Sequence, residues 1–135
     1  MLFFELLQIA LGNRERLSVT PSEAEWTELF SFAQEQTLVG IAFTGIELLP
    51  VEQRPPKMLL MQWYSLANLI KVRNAEQDRK SLAVANRFLG DGFKSVILKG
   101  QGMAQLYAQG EYRVPGDIDI WLEGDRKTIM NWVSD

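Results

Sequence analysis

The stretch Val96–Leu122, VILKGQGMAQLYAQGEYRVPGDIDIWL, holds two short apolar runs, each joined to residues that a buried strand seldom takes. The first, Val96-Ile97-Leu98, opens directly into Lys99-Gly100-Gln101-Gly102. The second, Asp117 to Leu122, alternates two acids with two isoleucines before Trp121 and Leu122. Aspartate is depleted from strands, so two of them in one β-branched run need a reason. Strand periodicity supplies one: Asp117, Asp119 and Trp121 share a face, while Ile118, Ile120 and Leu122 point the other way. The two carboxylates are then about 7 Å apart along the backbone and can converge on one cation. Glycines after the first run let backbone amides approach a ligand closely, and the N-terminus of the helix that follows favours an anion such as phosphate. A phosphate cradle beside a dicarboxylate is the equipment of metal-dependent phosphoryl transfer.

Composition narrows the chemistry further. The chain has 135 residues, 47% hydrophobic and 23% charged, which is ordinary for one globular domain with a real core. A net charge of −3 provides no overall basic field for nucleic acid or anionic lipid. With no cysteine and no histidine, thiolate sites, zinc sites and histidine catalysis are excluded within the chain. A metal here must be held by oxygen, which points to Mg²⁺ or Mn²⁺, with Ca²⁺ as the other hard cation. The apolar N-terminus MLFFELLQIALG lacks a basic leader region and carries Glu5, so it reads as a helix. The Met58–Val72 stretch is too short and too polar to span a bilayer. The expectation is a soluble, cytoplasmic protein that does not engage membranes.

The front of the sequence is helical. Leu2, Leu6, Ile9 and Ala10 recur at helical spacing, with Gly12-Asn13 as the stop. Thr20-Pro21-Ser22-Glu23 reads as a helix start with Thr20 as cap and Glu23 closing a capping box. Trp26, Leu29, Phe30 and Ala33 form the apolar stripe that follows. Thr37 is placed to open a third helix carrying Leu38, Ile41, Ala42, Ile46 and Leu49, which Gly40 and Gly45 weaken and Pro50 ends. Beyond Arg54-Pro55-Pro56 a helical pattern runs to about Leu89, roughly 50 Å in all. Its expected seam is Trp63, Leu66 and Ile70, then Leu82, Ala85 and Leu89, and the charged middle, Arg73–Lys80, reads as a solvated face. Gly90-Asp91-Gly92 closes it.

After Gly92 the grammar changes to strand, turn, helix, strand. Val96–Leu98 reads as a central strand covered on both faces. Met103–Ala108 reads as a short helix ended by Gly110, Asp117–Leu122 as the second strand, and Gly124-Asp125 as the start of a last helix with Ile129, Met130 and Val133 inward. The fold class is therefore α+β: a helical region over residues 1–92, then a partial sheet with flanking helices over 93–135.

These residues resemble the DNA polymerase β-type nucleotidyltransferase superfamily, and within it a bacterial branch of uncharacterised nucleotidyltransferases. The superfamily carries a glycine signature in a strand-to-helix turn and an alternating pair of acids on the next strand. Gly100 and Gln101 match the turn; Asp117 and Asp119 match the acids. The narrower family pairs a Lys-Gly turn with a Tyr on the helix and an Arg shortly before GDID, places held here by Lys99, Tyr107 and Arg113. Gln101 departs from the small residue of the broad signature, and the linker to Asp117 is longer than in compact members. The resemblance covers about residues 93–123 and implies Mg²⁺-dependent (or Mn²⁺-dependent) transfer of a nucleoside monophosphate from an NTP to an acceptor, whether small molecule, protein or RNA. It implies Asp117 and Asp119 as metal ligands and catalytic acids, with Lys99, Gly100, Gln101, Gly102 and Arg113 on the nucleotide. Tyr107 reads as packing, and Trp121 as either a base-stacking surface or a wall of the cleft.

The superfamily places a third carboxylate on a strand further downstream. Asp125 sits at a helix start and Asp135 is terminal, so neither fills that place, and the expectation is a truncated core. A catalytically incomplete module that binds nucleotide or a protein partner is the alternative reading. A glycosyltransferase, in which an Asp-x-Asp pair holds a nucleotide-sugar metal, ranks last, because such domains are longer and lack the Lys-Gly turn. An incomplete sheet also leaves a strand edge free to pair with a second copy.

Overall fold

A computed structural model describes residues 1–134. Its elements run α1 (Leu2–Ala10), α2 (Glu23–Glu35), α3 (Val39–Leu48), α4 (Lys57–Gly90), β1 (Ser95–Leu98), α5 (Gly100–Ala104), β2 (Asp119–Leu122) and α6 (Arg126–Ser134), with single 3₁₀ turns at Val51–Gln53 and Gly110–Tyr112. The fold is α+β, as the sequence implies.

Each helix end has an identifiable cause. Helix α1 stops where Gly12 takes φ 74° and Asn13 N–H donates back to Gln8 O at 2.8 Å, which satisfies carbonyls the helix leaves open. Helix α2 is capped by Ser22 rather than Thr20: Ser22 Oγ accepts from Glu25 N–H, and the Glu25 carboxylate accepts from Ser22 N–H at 2.8 Å. The capping box is thus Ser22 with Glu25, two residues later than the Thr20 and Glu23 that the sequence suggests, although both pairs have the same three-residue offset. Thr37 closes α2 at φ 57°, a left-handed value, instead of opening α3. Helix α3 begins at Val39 behind Leu38. Arg54 then reaches back to its end, with Nε on Leu49 O and Nη2 on Glu47 O, both at 2.9 Å.

The core lies between α1, α2, α3 and the first half of α4, where Phe3, Leu6, Ile9, Trp26, Ala33, Ala42, Ile46 and Trp63 are almost fully buried. Trp63 is its hub: it meets the Trp26 ring edge-on at 5.9 Å and donates Nε1–H to Val39 O at 3.0 Å. Burying a side chain of this size stabilises by about 3 kcal/mol. The two glycines that weaken α3 as a helix permit close packing. A Cβ on Gly45 would lie 2.5 Å from Leu6 O, and one on Gly40 would overlap the Tyr112 carbonyl.

Helix α4 runs 34 residues without interruption. Its buried stripe is Trp63, Ala67, Ile70, Asn74, Ser81 and Phe88, spaced by threes, fours and sevens. Leu82 and Leu89, expected in the seam, are instead 61% and 65% exposed. The stripe turns polar at Asn74 because what it meets there is loop backbone rather than an apolar face. The charged middle is solvated except along this line.

Strands β1 and β2 pair antiparallel, with Ser95 opposite Leu122, Val96 opposite Trp121, Ile97 opposite Ile120 and Leu98 opposite Asp119. Helices α4 and α5 pack against β1. Val96 and Leu98 are 53% and 43% exposed, so β1 is covered on one face rather than two. The expected Met103–Ala108 helix is displaced upstream to Gly100–Ala104. There Gly102 approaches so closely that a Cβ would lie 2.6 Å from Ile97 O. Helix α6 starts at Arg126, with Asp125 Oδ1 accepting from Thr128 N–H at 3.0 Å. It turns Ile129 and Trp132 inward, leaving Met130 and Val133 mostly exposed. Trp132 packs tilted against Phe88 and edge-on against Phe93 and donates Nε1–H to Asp91 at 2.9 Å, fastening α6 to the end of α4. No helix among the described residues is long and apolar enough to cross a membrane.

Candidate nucleotide and metal site

The antiparallel register brings the two motifs of the back half together. Leu98 stands opposite Asp119, so Lys99, one residue later, sits at the end of the ladder beside the acids. Its ammonium is 3.8 Å from Asp119 Oδ2, and both side chains are substantially exposed. Strand β2 begins at Asp119, two residues later than the sequence suggests, so Asp117 lies in the segment before it. Asp119 and Trp121 are exposed on the outer face of the strand pair and Asp117 is exposed too, whereas Ile118, Ile120 and Leu122 are half-buried. Gly100 faces the same segment, since a Cβ there would touch the Asp117 carbonyl at 3.4 Å.

The Lys99 backbone is unusual. At φ 47° and ψ −142° it occupies a region that glycine takes readily and a residue with a Cβ does not. This conformation reverses the chain between β1 and α5 within one residue. It leaves the first amides of α5 facing away from any intrahelical acceptor, while Met103 N–H closes the turn on Lys99 O at 2.8 Å.

Two residues of the expected nucleotide set are placed differently. The Gln101 side chain turns inward, is 7% exposed, and donates Nε2–H to Asp78 Oδ1 on α4. Only its backbone remains in the Lys-Gly turn. Arg113 follows the 3₁₀ turn, and its carbonyl is held by Asn74 Nδ2. Among the described residues no ion pair joins Arg113 to either aspartate, and its Nη1 is buried without a partner. Tyr107 is 53% exposed.

Sequence reasoning missed the part of α4 that positions this site. Asn74 Nδ2 donates to Glu111 O at 2.7 Å as well as to Arg113 O, and Gln77 Nε2 donates to Gly116 O at 2.7 Å. Together with Asp78 they anchor the loop leading into Asp117 and the start of α5. The available signal was the apolar stripe of Trp63, Ala67 and Ile70, whose spacing continues onto Asn74 and Gln77, the former a poor helix former that needs a reason to be there.

As a donor set, two exposed carboxylates, one opening β2 and one just before it, suit a hard divalent cation such as Mg²⁺ or Mn²⁺. Among the described residues, no third acid joins them in a cluster able to hold a metal. Asp125 is occupied with the α6 cap, and Asp135 lies outside the described residues. No curated protein and no solved structure matches the chain significantly. A family model does, over residues 22–131, running from the α2 cap into α6 and including the whole of the site. With that match across most of its length, the chain belongs to the family of uncharacterised nucleotidyltransferases.

Proposed function

We propose that the chain binds an NTP with Mg²⁺ (Mn²⁺ as substitute) at the Lys99–Gly102 turn and the Asp117/Asp119 pair, in the manner of polymerase β-type nucleotidyltransferases. The observation that carries this is the meeting of Lys99, Gly100, Asp117 and Asp119 at one end of the strand pair. Asp117 and Asp119 would hold the metal, which when bound neutralises charge on the phosphates. Lys99 neutralises Asp119 when no metal is present and is free to pair with a phosphate once that carboxylate is otherwise engaged. The amides of Gly100, Gln101 and Gly102 orient the phosphate chain.

In the transfer itself an acceptor oxygen forms a bond to the α-phosphorus, the bond to pyrophosphate breaks, and the acceptor proton passes to a base. A third carboxylate would be that base, and the described residues bring none to the pair. This favours a second reading, in which these residues bind nucleotide without turnover unless another carboxylate is supplied.

Thermal stabilisation by ATP or GTP tests the binding step. It is expected only with Mg²⁺ or Mn²⁺ and to vanish in Asp117→Asn/Asp119→Asn; stabilisation that survives the double substitution refutes the metal role. Incubation with α-labelled NTP and candidate acceptors separates the two readings, since label transferred by this chain alone rules out binding without turnover.

A further inference from the structure

Three of the four tryptophans are used by the fold. Trp26 and Trp63 meet edge-on in the core, and Trp132 packs against Phe88 and Phe93. Trp121 is different. It is 52% exposed on the outer face of β2, two residues after Asp119. An indole left half in water forgoes much of the largest apolar burial that a side chain can offer.

The antiparallel register gives Trp121 a defined set of neighbours. Val96 stands directly opposite, and Leu98, opposite Asp119, lies on its diagonal, within reach of an aromatic side chain. Glu123 N–H donates to Lys94 O at 2.9 Å, which extends the pairing by one row, and Lys94 Nζ stands 3.2 Å from the Glu123 carboxylate. The outer face therefore has ions at both ends, Lys99 with Asp119 and Lys94 with Glu123, and an apolar floor of Trp121, Val96 and Leu98 between them. Three half-exposed side chains fall well short of the roughly 800 Å² per partner that a specific protein interface buries. A floor of this size fits a single flat ring system. Asp119 and Trp121 are about 7 Å apart along the strand, a separation that a ribose spans between a base and its α-phosphate.

We propose that Trp121, flanked by Val96 and Leu98, is the platform on which the base of the nucleotide stacks, with the phosphates and metal at the Lys99 and Asp119 end of the same face. This rests on the nucleotide site proposed above and adds where the base lies. Stacking requires only a π-face, so the platform accepts every base, and purines more strongly than pyrimidines because their ring system is larger. Trp121 thus contributes affinity through the base, while the acids and Lys99 act on the phosphate end.

Calorimetric titration of the full chain with ATP, UTP and inorganic tripolyphosphate, each with Mg²⁺, tests the platform, since the last probe carries phosphates without a base. ATP is expected to bind about tenfold or more tighter than tripolyphosphate, with UTP between them. Trp121→Leu should remove most of that advantage while tripolyphosphate binds as in wild type, and Trp121→Phe, which restores a ring, should keep most of it. ATP should also quench tryptophan emission in wild type and not in Trp121→Leu, because the other three indoles lie in the core or under α6. Equal affinity for ATP and tripolyphosphate in wild type overturns the platform and leaves the phosphate and metal site standing. An ATP advantage that survives Trp121→Leu, or a loss shared equally by both probes, overturns it as well. If neither probe binds, the nucleotide site falls and the platform with it. A dimer in sedimentation that Trp121→Leu dissolves would assign this face to a second copy and likewise overturn the proposal.

Discussion

Gly40 of α3 and Tyr112 of the 3₁₀ turn are in backbone contact: a Cβ on the glycine would overlap the Tyr112 carbonyl oxygen. This contact holds the loop that carries Glu111 and Arg113 against the helical core. In an isolated helix Gly40→Ala would gain about 1 kcal/mol. Here the added methyl must push backbone aside, and the expected result is a loss of about 2–3 kcal/mol in urea unfolding. Gly90→Ala is the control, since nothing lies within 4 Å of its Cβ position. That variant should be neutral or up to about 1 kcal/mol more stable.

Gln53 forms a reciprocal pair with the Leu17 backbone, accepting from its N–H and donating to its carbonyl, both at 3.0 Å, in a site where Gln53 is 3% exposed. Gln53→Ala leaves both Leu17 groups buried without partners. The expected cost is about 2–3 kcal/mol, read from denaturant midpoints at unchanged slope. Gln53→Glu keeps the acceptor and loses the donor, and should fall short of wild type by a similar amount.

Lys99 separates stability from function. Its backbone suits glycine, so Lys99→Gly should raise stability by about 1 kcal/mol, the relief of strain exceeding the greater freedom of the unfolded chain. The exposed ion pair with Asp119 contributes little to set against that gain. The same substitution should reduce Mg²⁺-dependent nucleotide stabilisation. A variant both less stable and unimpaired toward nucleotide would contradict the role given to Lys99.

Glu5 provides a pH dependence of defined sign. Its carboxylate accepts from Ser18 N–H at 2.7 Å and from Ser18 Oγ–H at 2.8 Å, and Arg14 stands 3.2 Å away. The Ser18 amide is the largest influence and holds its pKa below the ordinary 4.5; burial opposes it, and the Ser18 hydroxyl and Arg14 add smaller lowering effects. A depressed folded-state pKa means stability that is fully present above 4.5 and is lost as pH falls through the folded value. Melting temperatures of wild type and Glu5→Gln should therefore differ most at neutral pH and converge in acid.

The fold class, the helix boundaries at Gly12 and Gly92, and the outward face of Asp119 and Trp121 were legible in the sequence, because periodicity and glycine placement determine them locally. What was not legible depends on partners distant along the chain. Asn74 and Gln77 read as part of a charged surface until the loop backbone they hold is placed over them. Gly40 and Gly45 read as helix weaknesses until Tyr112 and Leu6 are seen against them. Gln101 looked like a ligand residue because the turn it belongs to was recognisable, whereas its side chain answers to Asp78 on another helix. Thr20 with Glu23 and Ser22 with Glu25 have the same three-residue offset, so the pattern alone does not choose the cap.

The uninterrupted α4 has a consequence for how the chain opens and closes. Around Trp63–Ile70 the helix is sealed by the most deeply buried side chains of the molecule, whereas around Ser81–Phe88 it faces a two-stranded sheet with an open outer face. One continuous hydrogen-bonded element is thus held by two contacts of unequal strength, and its amides should exchange with solvent in two tiers. Protons near Trp63 should exchange only through global unfolding, and those near Phe88 through a lower-energy opening that releases β1, β2 and α6 together. If nucleotide binds at the strand ends, it should slow the second tier and leave the first unchanged, so that a ligand held at one end is read as protection confined to the far third of a single helix.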